Sequence, residues 1–368
     1  MSALSIYITL IFGTYLLFCI QNSLSHANIR VTQHTKIHRN SKLRIVFFTV
    51  IAMVPIIYVL TNRYMFGTDY KNYYRMYNDY FAYGFSNVEV GTIVLFNVSK
   101  WLGWDFKGFL FLTSVLEMIV PALAIRRHCE RNVYPLAILF FLTLYFGPST
   151  NIIAQVCALS FLIFAYEYMM KEQWIPVIIF CLIATMFHLS AIVGIIIYLL
   201  YVFDNRSRVR IISVVVLAVG LLLAFFPNIL YSILNLLGSG YAKYVEYVTF
   251  DRINTFFYIL VYRVPLYVIE GIYHKQIVAS KGINRFYYLL IILEIAGCIM
   301  GISMAWIGRL IYFFSIGHVF LCCELINSVK NKGTRVFIST LFVFYYFVAF
   351  GFMHFFSEFD GIMNFQLI

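Results

Sequence analysis

The sequence predicts an all-α, polytopic integral membrane helical bundle of about 12 transmembrane helices, with one further re-entrant or interfacial amphipathic helix. Three observations predict it. Hydrophobic residues make up 62% of the 368 residues and charged residues only 12%, about half the charged share of an ordinary soluble domain. Apolar runs near the length needed to cross about 30 Å of hydrocarbon follow one another from end to end. The Lys and Arg residues gather in alternate loops, as orientation by the positive-inside rule produces. The net charge of +11 is thereby accounted for in a bilayer, and nucleic acid is not expected as a partner.

Taken in order, the first span covers 2–20. It has no basic segment before it and no small-residue cleavage site after it, so it is read as a retained span and not a signal peptide. Further spans are expected near 44–60, 107–125, 133–147, 152–170, 174–187, 190–203, 211–226, 256–272, 286–304, 309–327 and 336–353. One alternate set of loops, from Arg30 to Arg44 through Arg126, Lys171, Arg206 and Lys275 to Arg335, holds 18 of the 27 Lys and Arg residues. That set is cytoplasmic. Both termini, the 61–106 segment and the 227–255 loop then lie on the opposite, periplasmic or exterior side.

Residues 88–104, "VEVGTIVLFNVSKWLGW", are amphipathic, too short for a comfortable span and of the wrong parity for one; they form the interfacial helix. With no fixed-period repeat and no soluble insertion, 1–368 reads as a single transmembrane domain. Six of the seven cysteines lie in apolar runs, and none forms CxxC or stands at metal spacing from a histidine, so neither a disulfide nor a cysteine-bound metal is expected.

Polar and ionisable groups at membrane depth cost several kcal/mol unless paired or hydrated, which makes each one informative. In "GTDYKNYYRMYNDY" (67–80), Thr68 or Asp69 can start a helix whose Tyr70, Tyr73, Tyr77 and Tyr80 form one stripe. That stripe is either an interfacial anchor or the wall of a groove in which aromatic faces meet sugars and Asp69 accepts a hydroxyl proton. His188, with Ser190, stands at the outer end of a hairpin of two short apolar halves. Asn151 and Gln155, one helical turn apart, follow Gly147-Pro148 at the outer start of their span, as inter-helix glue or as site members. Arg309 begins a span and can snorkel to the interface. Arg263 lies near mid-span, where its charge must meet a carboxylate, Glu117 or Glu294, or an anionic ligand such as a phosphate. The other carboxylates sit at span ends or in loops. No GxxxxGK[ST], HExxH or GxSxG pattern occurs, so nucleotide-dependent chemistry has no support.

The segments "NRYMFGTDYKNYYRMY", "NVEVGTIVLFNVSKWLG", "GPSTNIIAQVCALSFLIFAYEYM", "IPVIIFCLIATMFHLSAIVGIIIYLL" and "GRLIYFF", in this order from about residue 60 to 315, resemble the EpsG/Wzy-type family of bacterial polysaccharide polymerases, which make O-antigen, capsule and exopolysaccharide. The resemblance implies a multi-pass glycosyltransferase of the bacterial inner (cytoplasmic) membrane, with its active site facing the periplasm and no cofactor. Such an enzyme transfers a growing glycan from undecaprenyl diphosphate to a lipid-linked repeat unit. Its partners would be the undecaprenyl-diphosphate-linked oligosaccharide, the lipid bilayer, and a chain-length regulator and flippase.

With no metal motif, Arg63, Arg263 and Arg309 would hold the diphosphate. Asp69 or His188 would take the acceptor proton, and Tyr70, Tyr73, Tyr77 and Gln155 would bind sugar. One departure stands out: the family usually has Arg-Gln at the start of the fifth span, where this chain has Ala154-Gln155. Any anion contact assigned to that arginine in the family is then either absent here or supplied by another residue, with Arg63, Arg263 and Arg309 as the candidates. The rival readings are a flippase or transporter of lipid-linked oligosaccharide, which more often shows pseudo-repeated halves, and an O-antigen ligase or O-acyltransferase.

Overall fold

A computed structural model of the chain describes residues 3–32, 41–84, 88–203, 215–222, 253–273, 285–303, 308–356 and 361–362. Among these residues the structure is helical and contains no β-sheet. The helices are α1 (Ala3–Thr32), α2 (Ser41–Thr61), α3 (Tyr70–Tyr83), α4 (Val90–Trp101), α5 (Phe106–His128), α6 (Tyr134–Tyr145), α7 (Pro148–Asn151), α8 (Ile153–Met170), α9 (Trp174–Phe187), α10 (Val193–Phe203), α11 (Ile253–Ile272), α12 (Arg285–Ser303), α13 (Ile311–Phe314), α14 (Ile316–Ser328) and α15 (Lys332–Gly351). A 3₁₀ turn at Leu189–Ile192 precedes α10, and a π-helical turn at Phe352–Phe356 extends α15.

Seven helical segments among the described residues are long and apolar enough to cross a bilayer: Ala3–Ser23, Leu43–Thr61, Phe106–His128, Ile153–Met170, Arg285–Ile302, Ile311–Ser328 and Lys332–Phe355. The segments expected near 133–147, 174–187 and 190–203 are helical but short. At 1.5 Å per residue the 12-residue α6 reaches only about 18 Å, less than the hydrocarbon thickness of about 30 Å. Nearly all of α6 is buried, as a helix apolar on every side must be. Of the expected span near 211–226, residues 215–222 are described and helical; its remainder and nearly all of the 227–255 loop lie outside the described residues. The expected amphipathic helix is α4, a 12-residue element.

The chain forms two compact units: Met1–Tyr168 with Gln173–Ile192 and Val329–Ile368, and Met169–Glu172 with Val193–Ser328. In the first unit α1 packs on α2 and α6, α2 on α5, α15 on α6, and α4 on both α5 and α9. Burial separates the centre from the periphery: 78% of Ile153–Met170 is buried, against 22% and 33% of the 18-residue apolar stretches within Ala3–Ser23 and Lys332–Phe355. The uncovered faces of those outer helices are apolar, with Phe337 and Phe344 among their most exposed side chains. Such surface suits lipid and would be a large exposed patch in water. In the second unit α12 packs on α11, α13 and α14, and 89% of Ile311–Ser328 is buried.

Candidate functional site

The first unit builds its polar region where α2 ends. The chain leaves α2 at Thr61 and turns through Arg63–Asp69 into α3. Gly67 carries this turn at φ +88°, and a Cβ there would stand 2.3 Å from the carbonyl oxygen of Thr150. The turn therefore lies directly on α7. Next to it, the backbone N–H and hydroxyl of Thr68 both donate to Asn151 Oδ1. Gly67→Ala combines left-handed strain with a backbone clash and is expected to destabilise the protein by about 1–3 kcal/mol; thermal unfolding of the purified chain checks it.

Arg63 is 1% exposed. Its Nη1 donates to the Ser149 carbonyl at 3.0 Å, while Nε and Nη2 meet no acceptor among the described residues. The guanidinium lies within electrostatic reach of Glu117, Tyr70, Tyr73 and Cys157. Glu117 is fully buried and its carboxylate oxygens likewise meet no donor there. A buried charge with unmet hydrogen-bonding capacity is costly, so this group is preset for a polar partner.

The tyrosine stripe forms on α3 and turns inward. Tyr70 and Tyr77 are buried, with Phe106 edge-on to Tyr70 at 5.4 Å and Phe96 edge-on to Tyr77 at 5.1 Å. Tyr73 stacks on Phe109 at 6.0 Å, and its hydroxyl accepts the Ala154 N–H at 3.2 Å. Burial raises the Tyr73 phenol pKa. The α3 rings that remain open are Tyr74, Phe81 and Tyr83, 47%, 37% and 69% exposed. Asp69 precedes α3, does not cap it, and accepts from Asn72 Nδ2 at 3.3 Å. Gln155, at the start of α8, is buried.

His188 ends α9 in extended conformation. Its Nδ1 lies 2.9 Å from Glu89 Oε1, with both side chains about one-third exposed. Burial pushes the Glu89 carboxyl up. The His188 contact, with the backbone N–H groups of Glu89 and Leu189, more than reverses this and holds it below the usual carboxylate range. A carboxylate on Nδ1 favours the tautomer with its proton there, leaving Nε2 as the basic nitrogen. Glu89 was not singled out in the sequence; the available signal was an acidic residue at the N-cap of the amphipathic helix. Tyr73 lies within electrostatic reach of both Asp69 and Glu89. Arg63, Asp69, Tyr70, Tyr73, Tyr77, Gln155 and His188 thus belong to the first unit, while Arg263 and Arg309 belong to the second.

In the second unit Arg263 is ion-paired with Glu294, and its Nη1 donates to Ser315 Oγ at 2.8 Å. Of the partners the sequence left open for Arg263, Glu294 is the one realised. His318 Nε2 bonds Glu294 Oε2, and Nδ1 lies 2.8 Å from Glu270 Oε1. Tyr267 donates to Glu294 Oε2 at 3.3 Å. His318 thus bridges the two carboxylates, one on each ring nitrogen, and Arg263 joins the same network through Glu294. Glu270 stands at the end of its span in the sequence, yet it is 2% exposed and belongs to this network through His318. Periodicity could not show this, because the partners come from three different helices. Arg309 is exposed just before α13, its carbonyl accepting the Tyr312 N–H.

The EpsG family model matches residues 45–367, from the start of α2 to the chain's end. The chain belongs to the EpsG family. No curated protein and no solved structure gives a significant match. Membership makes this a polysaccharide-polymerase-like membrane protein, and the matched region takes in both units. In this EpsG-family chain the backbone N–H of Ala154, the position noted above for lacking arginine, donates to the Tyr73 hydroxyl, and that tyrosine lies within electrostatic reach of Arg63.

Proposed function

We propose that the protein is a metal-independent glycosyltransferase that elongates a polysaccharide on the periplasmic face of the bacterial inner membrane. The donor is a glycan on undecaprenyl diphosphate and the acceptor a hydroxyl of a second lipid-linked repeat unit. The observation that carries this reading is Arg63: a buried guanidinium held by Ser149 with Nε and Nη2 unengaged among the described residues, just past the end of a membrane-spanning helix. Such a fork suits a diphosphate oxygen. In the second unit Arg263 is ion-paired with Glu294 and steadies that unit from within.

In the reaction the acceptor oxygen bonds to the donor's anomeric carbon as the bond from that carbon to the diphosphate oxygen breaks. The electron pair leaves on undecaprenyl diphosphate, where arginine offsets the developing charge. The acceptor proton passes to His188 Nε2, which Glu89 orients, or to the Asp69 carboxylate. Tyr70, Tyr73 and Tyr77 shape the wall with Gln155, and the exposed Tyr74 ring offers a face for stacking a sugar. About 12 spans in one transmembrane domain would enclose this chemistry and leave a lateral route for the polyprenyl chain. A chain-length regulator and a flippase are its expected partners.

The test is the surface-polysaccharide ladder of the native host lacking the gene, complemented with variants whose membrane abundance is matched. Wild type is expected to restore the ladder over single repeat units. His188→Gln and Asp69→Asn separate the two candidate bases: the true base loses about 10²- to 10⁴-fold in rate and the other is near wild type. Glu89→Gln keeps the His188 contact but not the charge, and is expected to lie between wild type and His188→Gln. If the null host instead accumulates lipid-linked units on the cytoplasmic face, the protein is a flippase and the reading fails.

A further inference from the structure

A shallow, largely open cavity of about 510 Å³ lies on the surface of the first unit between the end of α2, the α4–α5 connection and the first turns of α5. It is lined by Thr61, Trp104, Asp105, Lys107 and Phe111, with Gly103 and Gly108 in its wall. That volume lies within the range of about 300–1,000 Å³ typical of small-molecule sites. None of these residues has a part in the site described above.

Its central feature is how Trp104 is held. The Trp104 N–H donates to the Ser99 carbonyl at 2.9 Å, and Tyr77 donates to the Trp104 carbonyl at 3.4 Å. Ser99 Oγ donates to the neighbouring Asp105 carbonyl at 2.7 Å. The side chain rests on Gly108: a Cβ there would stand 2.4 Å from Trp104 Cβ and 3.1 Å from ring atom Cε3. Phe111 meets the indole edge-on at 5.7 Å and 87°. The indole is thus pinned between the backbone of α5 and Phe111, yet remains 42% exposed.

Polar groups surround this platform. Asp105 spends Oδ1 on the Lys107 N–H at 2.8 Å, and its side chain is otherwise exposed. Lys107 supplies an ammonium on the same wall. The Thr61 hydroxyl oxygen is buried and meets no partner among the described residues. An aromatic face ringed by a carboxylate, an ammonium and a hydroxyl matches a pyranose, which has an apolar C–H face and hydroxyls around its rim.

We propose that this cavity is a saccharide subsite, separate from the transfer site, that holds a sugar of the glycan on the Trp104 face. The inference rests on the polysaccharide reading and deepens it: the subsite would retain the chain between successive transfers. Thr61 lies two residues from Arg63 in the sequence, and Tyr77 ties the α3 wall to the Trp104 loop. A glycan engaged at Arg63 and Asp69 therefore has this cavity within the same unit.

The chain has four tryptophans, so a full-length Trp101→Phe, Trp174→Phe, Trp306→Phe chain in nanodiscs reports Trp104 alone. The probe is an oligosaccharide mixture released by mild acid from the host's own surface polysaccharide. A saturable change in Trp104 emission is expected, weakened about tenfold by Asp105→Asn, which corresponds to about 1.4 kcal/mol. In the host, Trp104→Ala at matched abundance is expected to shorten the ladder while still joining the first units. Emission indifferent to the oligosaccharide, or quenching by brominated lipid that the oligosaccharide does not relieve, would make Trp104 an interfacial anchor and overturn the proposal. These failures are distinct from failure of the polymerase reading, in which the wild-type gene itself would not restore the ladder.

Discussion

Glu294→Ala is expected to lower the stability of the protein by about 3–5 kcal/mol, because it leaves Arg263 buried without its counter-charge. Arg263 is 4% exposed and Glu294 fully buried, and the carboxylate also serves His318 and Tyr267. One substitution thus unsettles groups on α11 and α14 together. The expected readout is a steep fall in membrane abundance and a lower thermal midpoint in detergent. The double variant Arg263→Met, Glu294→Gln removes both charges at similar volume and should recover much of the loss, since the uncompensated charge and not the missing contact dominates the cost. A Glu294→Ala protein with wild-type abundance and midpoint would mean that Arg263 does not depend on this carboxylate.

Arg63→Met should abolish the polysaccharide ladder while leaving the protein in the membrane. Methionine keeps much of the buried volume and asks for no hydrogen bond, so the lost Ser149 contact costs only about 1–3 kcal/mol. Removing the guanidinium from a developing diphosphate charge should cost about 10²- to 10³-fold in rate, on the scale of losing one preorganised donor. Arg63→Lys keeps the charge but loses the planar fork, and is expected to fall between the two. The measurement is initial rate of chain extension with lipid-linked repeat units in vesicles. Normal extension by Arg63→Met would remove Arg63 from the diphosphate contact and overturn that assignment.

Much of the architecture was legible in advance because bilayer hydrophobicity is written locally. A run such as residues 44–60 is apolar whatever its neighbours are, and α2 follows it over Ser41–Thr61. The amphipathic pattern of 88–104 likewise yielded α4. The inward direction of the tyrosine stripe was not legible. Its i, i+3, i+7 spacing is the same whether the stripe meets sugar, lipid headgroups or Phe96, Phe106 and Phe109, and those rings lie on other helices. The choice of Glu294 for Arg263, the recruitment of His318 and Glu270, and the pairing of Glu89 with His188 were equally hidden. Each joins residues at least 20 positions apart, a distance no periodicity spans.

By itself the sequence determined that this chain is a helical membrane protein, roughly where its helices run, and which ionisable residues are too costly in lipid to be incidental. It also carried the ordered segments that resemble the EpsG family. Tertiary structure alone decided which of those charges satisfy one another and which remain for a ligand: Arg263 is bound by a carboxylate, whereas Arg63 keeps two nitrogens without a partner among the described residues. The physical reason is that the cost of burying a charge is set by residue type, but its compensation is set by geometry across helices.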